Sequence, residues 1–155
     1  MVQPDPKGLS ICMEMIRIKY FLLLGLTNLL QHSYHIIHGR IYKTNETRPR
    51  FTNIIVQDNG CRRFALVDSV LDQLPHVCEV SVFDGKSLNY FYMFFSRNRN
   101  IRLNHAVKAL SRDLSWTGDI LIVRGSAQSE GVVNMRGDDR TLADFAIKSM
   151  FFDPI

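Results

Sequence analysis

"CEVSVFDGKSLNYFYMFF", residues 78–95, decides what kind of fold this chain can have. In its first part Cys78, Val80 and Val82 alternate with Glu79 and Ser81, the period of two that marks a half-exposed strand. Asp84-Gly85 then signals a turn or short loop. From Leu88 to Phe95 nearly every position is apolar or aromatic, so this second strand carries apolar groups on both faces. One face holds Tyr90, Tyr92 and Phe94, and the other Phe91, Met93 and Phe95. The pattern predicts a hairpin made of an edge strand followed by an inner strand.

Outward from the hairpin the period changes in an ordered way. "FTNIIVQD" (51–58) has a β-branched centre and stops at Asn59-Gly60, which predicts a strand. "RRFALVDSVLDQL" (62–74) spaces Phe64, Val67, Leu71 and Leu74 by three and four and ends at Pro75, which predicts a helix. "RLNHAVKALSRDL" (102–114) puts Leu103, Val107, Leu110 and Leu114 on one helical face, with Arg102, Lys108 and Arg112 largely on the other. "DILIVRG" (119–125) predicts a last strand. Strand, helix, strand, strand, helix, strand is the split βαβ, or ferredoxin-like, order. The expected fold is therefore α+β, with a mainly antiparallel sheet formed by a βαββαβ core over 51–126. Strands 51–58 and 88–95 would be central, with both helices on one face.

Two flanking segments complete the single domain expected over 1–155, a length sufficient for a real core. The apolar segment 9–42 is expected to be buried and partly helical, and the polar stretch 43–50 to connect it to the core. A C-terminal helix is expected over about 141–152, because Thr141 and Asp144 form a capping-box pattern. Its inward stripe would be Leu142, Phe145, Ala146, Ser149 and Phe152.

Hydrophobic residues at 46% and charged residues at 22% describe an ordinary globular chain rather than a disordered one. The net charge of +4 favours anionic partners without requiring any. Cys12, Cys61 and Cys78 have neither the number nor the spacing of a disulfide framework or zinc knuckle, and read as small apolar side chains. A single Cys61–Cys78 bridge would fit only a secreted chain. "IRIKYFLLLGLTNLL" (16–30) resembles a signal peptide, and Asn45-Glu46-Thr47 is a glycosylation sequon. Yet no small-residue cleavage site follows, so an intracellular setting is preferred over secretion. Glu14, Arg17 and Lys19 interrupt any window long enough to span a membrane.

Candidate chemistry is sparse. Tyr90 and Tyr92, on a sheet face followed by Arg97, Arg99 and Arg102, suggest base stacking beside phosphate contacts, with Lys108 and Arg112 extending the basic surface. The strand signature of RNA-recognition modules is absent. The competing expectation is that the terminal segments, above all 20–30, cover this face and bury Tyr90, Tyr92 and Phe94, since burying each such group is worth about 2 kcal/mol. His32, His35 and His38 are a weak metal-site candidate that only a helix would bring together. Gly137-Asp138-Asp139, flanked by Arg136 and Arg140, reads as a helix start. No phosphate-binding glycine loop or nucleophile elbow occurs, and no cofactor is implied. The leading expectation is a non-catalytic interaction module, acting through a protein partner or a homodimer. Single-stranded RNA or DNA binding is the alternative, and a metal-dependent enzyme at the three histidines the third.

Overall fold

A computed structural model describes residues 33–58, 64–96, 102–127 and 131–152. These residues hold seven strands and few helices: β1 (Tyr34–Tyr42), β2 (Arg50–Asp58), β3 (Phe64–Leu66), β4 (His76–Phe83), β5 (Leu88–Phe95), α1 (His105–Lys108), β6 (Ile120–Gly125), β7 (Val132–Val133) and α2 (Asp139–Phe152). The strands form one sheet in the order β1-β2-β3-β7-β6-β5-β4, antiparallel throughout. β1 also pairs with β6, Arg40 opposite Ile122 and Tyr42 opposite Ile120. One edge of β6 is thus shared by β1 and β7, and the sheet curls back on itself into a half-barrel.

The hairpin matches its sequence pattern. β5 lies between β4 and β6, and β4 ends the sheet. The turn is held by Asp84, whose Oδ1 accepts from the N–H groups of Lys86 and Ser87 at 2.8 Å each. Gly85 supplies the positive φ of 92° that side chains disfavour.

β5 and β6 divide their side chains between two cores. Phe91, Met93, Phe95, Ile120 and Ile122 face α2, where Ala143, Ala146 and Ile147 pack on them. Phe94, Leu121 and Val123 face the inside of the curl, among Ile37, Ile41, Ile54, Val56, Leu66 and Leu74. The continuous apolar pattern of both strands is the signature of a sheet covered on both sides.

The split βαβ order is not what forms. Residues 62–74 are not a helix: among those described, Phe64–Leu66 is a strand and Ser69–Gln73 a 3-10 turn. Spacings of three and four suit a 3-10 turn nearly as well as an α-helix over so short a window. Asp68 also separates the two pieces, accepting from the N–H of Val70 and, with its other oxygen, from that of Ile55. Leu71 and Leu74 still point into the core.

The 102–114 helix shrinks to the four residues of α1. Buried Asn104 caps it, accepting from Val107 N–H, while its amide donates to the carbonyls of Tyr42 and Gly118. Val107 and Leu114 are buried as expected, without the helix that spacing implied. The N-terminal segment is strand, not helix, where it is described: Ile37 and Ile41 of β1 point inward at even spacing. Its remainder, 9–32, lies outside the described residues. The C-terminal helix is present but starts at Asp139, two residues early, and its buried stripe is Ala143, Ala146 and Ile147, with Phe145 56% exposed.

Candidate interaction surface

Among the described residues β4 is an open edge of the sheet. Asp84 N–H donates to the Ser87 carbonyl. In an antiparallel ladder the bonded pairs recur every second residue, so Val82, Val80, Cys78 and His76 are the ones bonded to β5. The backbone groups of Val77, Glu79, Ser81 and Phe83 therefore point away from the sheet, and among the described residues no strand meets them.

Beside this edge is a partly open shelf. The cross-strand pairs Glu79–Tyr92, Ser81–Tyr90 and Phe83–Leu88 share the face opposite α2. The curl covers this face at Phe94, which is fully buried, and then leaves it. Tyr92 and Tyr90 are half-buried, Leu88 is 45% exposed and Phe83 66%. Gly125 belongs to the same surface: a Cβ there would lie 3.0 Å from the Tyr92 ring, so the missing side chain lets the tyrosine approach β6 closely. A second exposed apolar cluster, Tyr34, Ile36 and Ile55, lies on the outer face of β1 and β2.

The expected burial of Tyr90, Tyr92 and Phe94 is thus graded along the strand. The cover is the sheet's own curl through β1, β2 and β3; residues 20–30, expected to provide it, lie outside the described residues. Arg97 and Arg99 lie outside them as well. Arg102, Lys108 and Arg112 are exposed, but the Arg102 carbonyl accepts from Gly118 N–H, beyond the Phe95–Ile120 end of the sheet. Tyr90 lies near the other end, roughly 17 Å back along β5 at the usual rise per residue. On β4 the tyrosines face Glu79 and Ser81, and on β6 Tyr92 faces Val123, none of them a cation.

His35 and His38 are on β1, where odd spacing sends them to opposite faces, and His32 is outside the described residues. Among the described residues no three His, Cys, Asp or Glu side chains group as a metal site. Asp139, read from sequence as a helix-start residue, accepts from Arg136 N–H and pairs with Arg124, whose other nitrogen donates to Asn89 Oδ1 at 2.9 Å. The Cys78 thiol packs on Met150, 3.9 Å between sulfurs. A cavity of about 210 Å³ lies at the end of the sheet away from the shelf, lined by Lys43, Thr44, Gln73, Ser96 and Asp119 over Ile41, Val70 and Leu74. Thr44 N–H donates to Asp119 there, and among the described residues the lining holds no histidine or cysteine.

Sequence reasoning found the tyrosines and the edge strand but missed Arg40, Tyr42 and Asp144. Arg40, 5% exposed, donates through Nε and Nη2 to the two oxygens of Asp144 at 2.8 and 3.2 Å, and the Tyr42 hydroxyl donates to the same carboxylate. Burial drives Tyr42 far above its ordinary pKa, with the Asp144 charge adding to it. Burial pulls Arg40 down, but Asp144 and Tyr42 outweigh it and hold Arg40 above its usual value. The only sequence signal was alternation: Arg40 and Tyr42 sit two apart, on the face of β1 opposite Ile37 and Ile41. This triad ties α2 to β1, with Arg40 and Tyr42 buried and the Asp144 side chain 23% exposed.

No protein-family profile, curated protein or solved structure matches the chain. No described helix is long and apolar enough to cross a membrane.

Proposed function

We propose that this chain is a small non-catalytic interaction module that takes up polypeptide by strand addition along β4. One observation carries the reading: an eight-residue edge strand with open backbone groups borders a shelf holding exposed Phe83 and Leu88 and half-buried Tyr90 and Tyr92. Sheet edges in natural proteins are usually blunted by lysine, proline or bulges. β4 contains no lysine or proline, and its one carboxylate is Glu79. Main-chain bonds at such an edge supply affinity, and the shelf supplies side-chain selectivity. An intracellular setting suits a chain whose three cysteines have no disulfide-framework spacing.

Selection of displayed random peptides on the immobilised chain tests this. Enriched peptides should be extended, with apolar residues at alternate positions, and should be lost on Ser81→Pro, which removes an outward N–H while leaving the β5 ladder intact. No enrichment, or enrichment indifferent to Ser81→Pro, overturns the reading. Single-stranded nucleic acid remains the second reading because tyrosines on a sheet can stack bases. Salt-sensitive oligonucleotide binding, lost on both Tyr92→Ala and Arg102→Ala, would put it first.

A further inference from the structure

We infer that the polypeptide taken up by β4 is the β4 strand of a second copy, antiparallel and in one definite register with Val80 on the two-fold axis. This rests on the strand-addition reading and narrows it to one partner. A symmetric antiparallel pair places residues of like parity opposite each other, because directly opposed side chains share a face. The outward backbone groups belong to Val77, Glu79, Ser81 and Phe83, so these must form the bonded pairs. Two registers of equal overlap meet both conditions. One centres on Glu79 and sets that carboxylate against its own copy, which like-charge repulsion disfavours.

The other centres on Val80. It brings Glu79 opposite the copy's Ser81, whose hydroxyl can donate to the carboxylate. It also brings Phe83 opposite the copy's Val77, giving an apolar partner to a ring that is 66% exposed in the single chain. On the α2 face Cys78 meets Val82, and Val80 meets Val80. The edge's single carboxylate and its most exposed aromatic both gain complementary partners in this register. Both α2 helices lie on one face of the continuous sheet, and both shelves on the other.

The test is sedimentation of the full chain across tens of micromolar, about the range in which a specific dimer of modest affinity shows. A dimer is expected. Ser81→Glu sets two carboxylate pairs across the axis and should weaken it roughly tenfold, whereas Ser81→Lys should strengthen it. Ser81 is exposed, and circular dichroism is the check that both variants fold. In a background with Cys12→Ser, Cys61→Ser and Cys78→Ala, Val80→Cys should form a covalent dimer on mild oxidation, and Glu79→Cys should not.

A monomeric wild type, or Ser81 variants that change nothing, overturns the inference. Cross-linking through Glu79→Cys instead of Val80→Cys overturns the register. Peptide selection that succeeds on a monomeric chain removes the second copy and leaves strand addition standing. Failure of both removes both.

Discussion

Arg40 is the most consequential single residue that the fold encloses. Its guanidinium reaches both oxygens of Asp144 and lies 5.7 and 5.5 Å from the centres of the Tyr42 and Phe51 rings. A cation so placed is stable only while its anion is present. Asp144→Ala should therefore cost about 3 kcal/mol in denaturant unfolding, and Arg40→Met with Asp144→Leu should recover most of it. Tyr42→Phe removes one charge-assisted hydrogen bond and should cost about 2 kcal/mol near neutrality. Tyr42 also makes stability pH-dependent. Its folded pKa lies above the ordinary 10.0, so the folded chain keeps the proton that the unfolded chain loses. That contribution is complete below about pH 10 and falls as pH rises further. Unfolding midpoints followed into the alkaline range should decline for the wild type and more shallowly for Tyr42→Phe.

Among the elements, the strands were far easier to read from sequence than the helices. β2, β4, β5 and β6 fall within two residues of their expected ends, because alternation and turn residues are local signals. The helices of 62–74 and 102–114 were over-read because Val67, Leu71, Leu74, Val107 and Leu114 are indeed buried, and inward spacing is all that periodicity reports. Two contacts that no local pattern records intervene: Asp68 bonds to β2, and Asn104, held by Tyr42 and Gly118, caps the second helix so that it starts only at His105. The α2 stripe can be checked directly. Phe145→Ser should change stability by no more than about 0.5 kcal/mol, whereas Ile147→Ala should cost about 3 kcal/mol. The seam of the curl offers a second check. A Cβ on Gly39 would meet the Ile122 carbonyl at 3.0 Å and Val123 at 3.1 Å, while one on Gly137 meets nothing within 4 Å. Thermal denaturation should show Gly39→Ala losing 1–3 kcal/mol, roughly, and Gly137→Ala close to wild type.

At the scale of the whole molecule, sequence indicated that β5 is apolar on both faces but not what covers the second one. It looked to the terminal segments because a curl depends on β1 meeting β6, and no local pattern records that meeting. The shelf was half legible for the same reason: its tyrosines stood out, while the point at which cover gives way to solvent is set by where the curl closes. Closure also governs how the chain reaches this structure. The Arg40–Asp144 bond joins residues 104 positions apart, and Asn104 reaches back 62 to Tyr42. Such loops must be closed, at an entropic cost, before they return any contact energy. The hairpin of β4 and β5 can assemble early, but the half-barrel waits for β6 and then for α2. Stopped-flow refolding should accordingly be slow, in milliseconds to seconds, and Gly39→Ala should retard it more than Ile147→Ala if the seam forms in the rate-limiting step. During synthesis β4, an edge strand among the described residues, emerges well before α2, so the nascent chain carries an unprotected strand edge through the interval before its core is complete.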